Sequence, residues 1–479
     1  MALEKVRSDS IISTSDRSEH LIKKGRFSYW TRVIISILPT IIFGVFTVTF
    51  TVQQNDFFRK TREQDVLVAD AQNKRLIFDN YIDVISDRLL SSQFRRNNSE
   101  HLLTIRAKTL TALRHLDAHY KSEIIFFLYE NKLIREDVPE AERLDLDGAD
   151  LTSVRFTRSS TRRCILPNLY LPGVVALDIV FDGCRLMDSV FNGGTFNRSQ
   201  FISCSLGQTQ FIDTSLDYAT FLGSDLDGVN FKGTLLTNTK FLDTFVQNLT
   251  LINTDMLGSN MNDSDIILPY TERPNYIINT RFPNGSFSNI DSKQLVIDGG
   301  AEIECSSENF SSWGTIRTQQ RWQYYNKDNN ETNNSLKSLL NPAKGNCCFV
   351  TNTTNLVYQQ IVVTNYSVLI KSGKACCNLS AYMGCLEPDL NDHVVITVRF
   401  INTLNLSYSE ESLVMPSQGN GFQYFTKLHP IPTDTYMISV RPGAEMNSSS
   451  MLPTPRYCAV DDIQVFIFDH KNKTGNCGT

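Results

Sequence analysis

Histidine is nearly absent from the body of this 479-residue chain: of seven, none lies between His119 and His393. That gap excludes histidine-based acid–base or triad chemistry from the central region. The sequence contains no Walker loop, G-x-G-x-x-G, H-E-x-x-H or G-x-S-x-G, so the signatures of nucleotide binding, zinc proteolysis and serine hydrolysis are missing. Neither sign of charge dominates, with 46 Lys plus Arg against 51 Asp plus Glu. Bulk charge therefore favours neither nucleic acid nor a membrane surface. Cysteine is lacking before Cys164, and glycine and proline are lacking from Gln53 to Glu136. The first absence keeps any disulfide framework out of the N-terminal third. The second leaves a long stretch in which nothing breaks a helix.

Charge is also lacking from Val33 to Val52, a run of twenty residues. At 1.5 Å per residue this length matches a hydrocarbon core of ~30 Å. Pro39 and Gly44 suit a membrane span better than a soluble helix. A cleaved signal peptide fits less well, because the run starts late and no small-residue cleavage site stands out. Lys23, Lys24, Arg26 and Arg32 precede the run, with Tyr29 and Trp30 placed as interfacial anchors; Arg59, Lys60 and Arg62 follow it. The basic bias favours a cytosolic N-terminus slightly.

Glycosylation sequons give the orientation more firmly. Asn97, Asn197, Asn248, Asn262, Asn284, Asn309, Asn330, Asn333, Asn352, Asn365, Asn378, Asn405, Asn447 and Asn472 all head Asn-x-Ser/Thr, and all follow the span. Eight cysteines cluster nearby: Cys305, Cys347, Cys348, Cys376, Cys377, Cys385, Cys458 and Cys477. Together they predict a C-terminal bulk that is extracellular or lumenal, glycosylated and disulfide-bonded. Residues 1–32 are then a cytosolic disordered tail.

Residues 53–142 read as a helical stalk or collar. Phe78, Tyr81, Ile82, Ile85 and Leu89 follow helical spacing, and further helical stretches cover Leu102–Leu116 and Lys121–Leu133. The region is either a spacer or a module that pairs two copies into a homodimer. His115 and His119 stand four residues apart, a zinc-compatible spacing on a helix. No third ligand accompanies them, so an exposed helix face is the simpler reading.

From Leu146 a large apolar residue recurs at every fifth position, through Leu151, Phe156, Leu166, Leu171, Phe181, Leu186 and onward to Met261. Two places before most centres stands a small residue, such as Ala149, Ser189, Thr209 or Thr254. A period of five fits neither helix nor strand. It fits one side of a square coil whose centre and small residue point inward. Cys164, Cys184 and Cys204 are twenty residues apart, one full coil, and read as small core residues stacked in a ladder. Thr161 and Ala176 are poor centres, which predicts irregular first coils. Asn197, Asn248 and Asn262 follow a centre by one or two places, on the expected outer surface.

The units Ala149-Asp150-Leu151, Ser224-Asp225-Leu226 and Thr254-Asp255-Met256 resemble the pentapeptide-repeat family, whose units read A-(D/N)-L-x-x. The resemblance implies a right-handed, four-sided β-solenoid over residues 143–266, with about six coils and a height of ~29 Å. Ala107-Lys108-Thr109-Leu110, Leu116-Asp117, Phe127-Leu128-Tyr129-Glu130 and Leu133-Ile134, leading into Leu146-Asp147-Gly148-Ala149-Asp150-Leu151, look like the helical collar of membrane-anchored members. Some members mimic DNA with an acidic face. Here residues 143–265 hold fourteen Asp against nine Lys plus Arg, a mild excess, and no nucleic-acid partner is expected.

Pro269, Pro274 and Pro283 mark a linker over 267–286. Beyond it, over 287–470, strand-like runs alternate with Asn-, Ser- and Gly-rich turns: Leu295–Ile297, Cys348–Thr351, Leu356–Val363, Ser367–Ile370, His393–Phe400, Thr435–Val440 and Ile463–Phe468. This predicts an all-β sandwich, followed by a tail at 471–479. The cysteine doublets 347–348 and 376–377 are expected to cross-link their strands. The opening Leu295-Val296-Ile297-Asp298-Gly299-Gly300-Ala301-Glu302 with Trp313, and the closing Val460-Asp461-Asp462-Ile463-Gln464-Val465, look like the two ends of galactose-binding-like jelly rolls. Carbohydrate-binding modules and adhesive MAM domains share them. The resemblance implies a structural Ca²⁺ held by Glu302, Asp461 and Asp462 where first and last strands meet; a solvated turn is the competing reading.

The expected fold is thus mainly β with a helical N-terminal part: one transmembrane helix, an α-helical stalk, a solenoid and a C-terminal jelly roll. The expected role is non-catalytic recognition of a glycan or surface protein. Trp313, Trp322, Tyr324 and Tyr325 are candidates to stack on sugars, although core packing suits most of them. A purely structural cell-surface scaffold is the alternative. An extracellular hydrolase, needing a carboxylate pair in a cleft, is a third.

Overall fold

In a computed structural model the described residues are 16–158, 163–261, 275–302, 312–315, 323–326, 343–345, 347–351, 357–386, 393–415, 421–445, 457–470 and 477. The chain divides into two compact units, Met1–Asn80 and Tyr81–Thr479.

Helix α1 runs from Asp16 to Leu90 with Pro39 inside it. Among the described residues it is the one helix long and apolar enough to cross a membrane. The tail expected to be disordered is instead helical from Asp16 onward. Once nucleated, a helix propagates at little cost through good formers such as Glu19, Leu21, Lys23 and Lys24. Between residues 33 and 52, Ile41, Phe43 and Phe46 are exposed. The hydroxyls of Ser36, Thr47, Thr49 and Thr51 donate to carbonyls three or four residues earlier at 2.7–2.9 Å. The segment thus keeps its polar atoms to itself and its apolar ones outward, which suits a lipid environment.

In the second unit, the end of α1 packs with α2 (Ser99–His115) and α3 (Ala118–Glu130). Asn98 caps α2 and Asp117 caps α3 by accepting from the amides of Glu100 and Tyr120. The break at Leu116–Asp117 puts His115 and His119 on different helices, so the one-turn spacing expected of them does not exist. Tyr81 hydrogen-bonds Thr109 at 2.9 Å in the collar interior. α3 lays Phe126 edge-on against Phe156 at 5.5 Å, and Lys121 Nζ donates to Asp150 at 2.9 Å. The collar thereby covers an open end of the solenoid, a surface that repeat arrays must cap.

The solenoid begins with a parallel ladder of β1 (Arg155–Thr157), β2 (Val180–Asp182), β3 (Gln200–Ile202), β4 (Thr220–Leu222) and β5 (Lys240–Leu242). Phe156, Phe181, Phe201, Phe221 and Phe241 stack at 4.9–5.4 Å between ring centroids. Phe191, Phe211 and Phe231 form a second column at 5.2 and 5.6 Å. The inward small residues have a polar task as well. Thr209, Thr214, Ser224, Thr239 and Thr254 each donate to the carbonyl of a centre 23 residues earlier, at 2.7–3.0 Å. This answers the requirement that buried polar groups be paired. The second residue after a centre often has positive φ, as at Asp178, Asp188, Asp213 and Asn238, where Asp and Asn tolerate the left-handed turn.

The first coil step is irregular, as expected. Arg155 pairs with Val180, 25 residues on, whereas Val180 pairs with Gln200. Ala176 is nonetheless fully buried, and Thr161 lies outside the described residues. The cysteine ladder differs from expectation: Cys164 and Cys184 form a disulfide at a Cα separation of 4.6 Å, and only Cys204 remains a buried thiol. Stacked coils bring equivalent Cα atoms within disulfide range.

The solenoid also runs further than expected. β6 (Thr250–Ile252) pairs in parallel with β7 (Tyr276–Ile278), and Asp255 pairs with Arg281. Thr280 donates to the carbonyl of Leu251 at 2.6 Å, repeating the small-residue bond of earlier coils. Residues 275–283, assigned to the 267–286 linker, therefore add to the stack.

The C-terminal part is a sandwich of two five-stranded antiparallel sheets. Its strands are β8 (Gly314–Thr315), β9 (Gln323–Asn326), β10 (Cys347–Thr351), β11 (Val357–Val362), β12 (Ala375–Leu386), β13 (His393–Asn402), β14 (Ser407–Val414), β15 (Gln423–Pro430), β16 (Thr435–Glu445) and β17 (Tyr457–Asp469). The sheet orders are β15-β12-β17-β10-β9 and β14-β13-β16-β11-β8. The core between them includes Trp313, Phe349, Leu379, Val398, Phe400 and Val465. Two expected strands are absent. Leu295–Ile297 is irregular, and Ser367–Lys371 is a short helix, α4; a brief apolar run does not by itself distinguish the two. Strands β8, β9, β12, β14 and β15 went unanticipated.

The cysteine doublets do not bond to each other, because β17 lies between β10 and β12. Cys376 bonds Cys477, Cys385 bonds Cys458, and Cys347 is also disulfide-bonded. Cys348 and Cys377 are buried thiols, each on the face opposite its bonded neighbour, as strand alternation requires. Cys305 lies outside the described residues.

Solenoid and sandwich meet through polar contacts. Asn253 Nδ2 donates to the Thr364 carbonyl at 3.0 Å and to Ser367 at 2.9 Å, and its Oδ1 accepts from the Val368 amide at 3.1 Å. Asn279 donates to the Asn365 carbonyl at 3.1 Å, and Lys374 to that of Gly285 at 2.7 Å.

Candidate functional site

The opening segment and the closing strand of the sandwich run side by side. The Ile463 amide donates to the Gly299 carbonyl and the Leu295 amide to that of Val465, both at 3.0 Å. A Cβ on residue 299 would sit 2.0 Å from the Ile463 carbonyl oxygen, so the seam requires glycine there. Trp313 beside it is buried, donating to the Asp298 carbonyl at 3.4 Å. It packs the core and offers no surface to a sugar. Trp322 lies outside the described residues.

This seam brings two of the three expected metal ligands together. Asp461 is fully buried. Its Oδ2 accepts from the Lys344 amide at 2.8 Å, while Oδ1 has no hydrogen-bond partner. Burial pushes its carboxyl up to about 6, against the pull of nearby backbone amides. Glu302 Oε1 accepts from the Cys347 amide at 2.8 Å. Both side chains border Gly300: a Cβ there would lie 3.4 Å from Asp461 Oδ1 and 3.7 Å from Glu302 Cγ. Both carboxylates also add to burial in raising the Cys348 thiol.

Asp462 does not join them. It pairs with Lys344 Nζ at 2.5 Å and accepts from Gln464 at 2.8 and 2.9 Å. Among the described residues, no group of three or more His, Cys, Asp or Glu is arranged to hold a metal ion. Of the three expected carboxylates, the fold thus places Glu302 and Asp461 side by side and engages Asp462 with Lys344. The unpartnered oxygen of Asp461 beside Glu302 still fits a hard cation, which binds carboxylate oxygen together with backbone carbonyls.

The outer face of the β15-β12-β17 sheet carries a second constellation. Tyr382 and Tyr424 are directly opposed across β12 and β15, with ring centroids 5.1 Å apart and planes tilted by 53°. Tyr424 is 52% exposed. Lys344 Nζ stands 5.8 Å from the Tyr382 centroid, so the Lys344–Asp462 pair flanks the rings. Thr426 donates to Asn378 Oδ1 at 2.7 Å on the adjoining stretch. Aromatic faces bordered by amides and an ion pair can stack on an apolar ring face and hydrogen-bond its edge. Sequence reading missed this pair. The available signal was alternation in β12, where Asn378, Ser380 and Tyr382 interleave with the inward Leu379, Ala381 and Met383.

Asn97, Asn284, Asn365 and Asn405 are exposed, whereas Asn197, Asn248 and Asn378 are half-buried. Asn197 Oδ1 accepts from Ser215 at 2.6 Å and from the Asp217 amide at 3.1 Å, which ties it to the next coil. Asn262, Asn309, Asn330, Asn333, Asn352, Asn447 and Asn472 lie outside the described residues.

No curated protein matches the chain. Among solved structures, it is similar to the enzymatically active domain of tailspike protein 4 of bacteriophage CBA120, at 12% identity, 69% of this chain, 52% of that one and a TM-score of 0.26. It is similar to HetL, a pentapeptide repeat protein involved in heterocyst differentiation regulation from the cyanobacterium Nostoc sp. strain PCC 7120, at 17% identity, 30% and 55% coverage and a TM-score of 0.18. It is also similar to the CBM22-1 xylan-binding domain of Paenibacillus barcinonensis Xyn10C, at 8% identity, 37% and 95% coverage and a TM-score of 0.23. The chain thus spans about half the length of the tailspike domain and of HetL. Residues 154–231 match the family model described as Pentapeptide repeat region.

Proposed function

We propose that the chain is a single-pass membrane protein, with residues 1–32 cytosolic and the region beyond residue 52 extracellular or lumenal. A right-handed solenoid carries a jelly roll that recognises a glycan or surface protein without catalysis. The observation that carries this reading is the Tyr382–Tyr424 pair, half-buried at Tyr382 and exposed at Tyr424, with its flanking Lys344 and Asp462. The disulfides support the oxidising compartment, and the exposed Ile41, Phe43 and Phe46 support the span. Exposed Val66, Leu67 and Leu76 on α1 support pairing with a second copy.

Glu302 and Asp461 are proposed to hold Ca²⁺, with Asp462 engaged by Lys344 instead. The ion would supply the counter-charge that the buried Asp461 carboxylate lacks and would bind the opening segment to β17. The exposed sequons are proposed glycan sites. The test is a glycan array probed with full-length protein in detergent micelles, with calcium and with chelator. Specific, chelator-sensitive binding supports recognition of sugar. A blank array from folded protein sinks the glycan reading and leaves a protein partner or a purely structural scaffold.

A further inference from the structure

A cleft of about 860 Å³ opens between solenoid and sandwich. Its solenoid wall is one corner of successive coils, at Thr195, Ser215 and Leu235; its sandwich wall includes Asn365, Lys371 and Tyr436. Lys232 and Lys371 are matched there by Asp213 and Asp434. The charges balance, so neither an anion nor a cation is selected. Thr, Ser and Asn supply most of the remaining lining residues, while more of the exposed lining is apolar than polar; hydroxyls set among apolar surface suit a neutral occupant with both hydroxyls and apolar ring faces. The volume lies within the roughly 300–1,000 Å³ of small-ligand clefts.

Asn365 is both part of this wall and the head of the sequon Asn365-Tyr366-Ser367. Its side chain is exposed, but its backbone is fixed. Asn279 donates to its carbonyl, Tyr366 donates to the Asp291 carbonyl at 2.7 Å, and Ser367 accepts from Asn253. A group attached at Asn365 therefore leaves from a rigid point inside the cleft.

We infer that the cleft seats the N-glycan of Asn365, whose inner N-acetylglucosamine residues lie between solenoid and sandwich. Attachment joins Asn365 Nδ2 to the anomeric carbon of a lipid-diphosphate-linked oligosaccharide. The lipid diphosphate leaves, and the amide gives up one proton. The tether makes occupancy intramolecular, so contacts too weak to hold a free sugar suffice. The glycan then acts as a wedge that adds to the Asn253 and Asn279 bonds at the junction. The inference rests on the lumenal placement of the C-terminal region, not on ligand binding by Tyr382 and Tyr424.

The full chain, made in a eukaryotic secretory host, tests this by glycopeptide mass spectrometry followed by glycan release under native conditions with an N-glycan amidase. Asn365 is expected to be occupied and to release its glycan about tenfold more slowly than exposed Asn284. Asn365→Gln is expected to raise hydrogen exchange at 193–195 and 213–215. Thr195→Trp, which crowds the cleft and leaves the sequon intact, is expected to speed release at Asn365. An unmodified Asn365 beside an occupied Asn284 overturns the inference alone. Equal release rates with unchanged exchange also overturn it. Absence of glycan at every sequon overturns it together with the lumenal placement.

Discussion

In the solenoid the interior roles recur from coil to coil, filled by columns of phenylalanines and by hydroxyls that mostly bond to the coil before. In the sandwich each core residue has a single place, and disulfides and the buried Asp461 carboxylate hold segments distant in sequence. A defect in the solenoid is felt by neighbouring coils with the same design; a defect in the sandwich removes something used once. Five predictions sharpen or break this contrast, from the largest effect to the smallest.

Phe201 stacks between Phe181 and Phe221. Phe201→Ala should cost up to about 5 kcal/mol, with raised hydrogen exchange confined to adjoining coils; loosening across the sandwich as well would break the contrast. Removing the Cys385–Cys458 bond, which closes a separation of 73 residues, should cost about 4 kcal/mol in the chain-entropy view. Calorimetry of Cys385→Ser/Cys458→Ser should show the sandwich transition falling while the solenoid transition stays. Asn253→Ala strips three hydrogen bonds from the junction. It should cost about 2 kcal/mol and move the solenoid and sandwich transitions further apart in calorimetry. Thr239→Val removes one inter-coil bond and should cost about 1 kcal/mol in chemical denaturation.

The smallest effect concerns pH. His429 is buried, with Glu411 at 3.3 Å. Burial, helped by Lys427, lowers its pKa despite that carboxylate. The unfolded chain then binds the proton more readily, so stability is full above the unfolded value of about 6.5 and declines as pH falls below it. Melting temperature should drop on acidification in the wild type and drop less in His429→Phe.

Much of the solenoid was legible because its constraint is local and repeated: a centre every five residues has one packing solution. The positive-φ turns were written there too, as Asp, Asn or Gly two places after many centres. The final stretch was not. Residues 262–274 break the period, so Ile277 and Thr280 carry no visible register with Leu251. The sandwich was legible at its two ends, where Gly299 and Asp461 belong to short motifs, and poorly between them. β12 has a core face built from Cys377, Leu379, Ala381, Met383 and Cys385, and its small residues conceal the strand. The site was half legible. Glu302 and Asp461 converge, but the partner of Asp462 is Lys344, more than a hundred residues earlier, and only the fold reveals it.

The most direct test of recognition by the sandwich compares wild-type full-length protein with Tyr382→Ala/Tyr424→Ala on the same glycan array in calcium. The account predicts specific binding by the wild type and its loss in the variant, with melting temperature unchanged. Equal binding by the two would contradict it and move recognition away from this face.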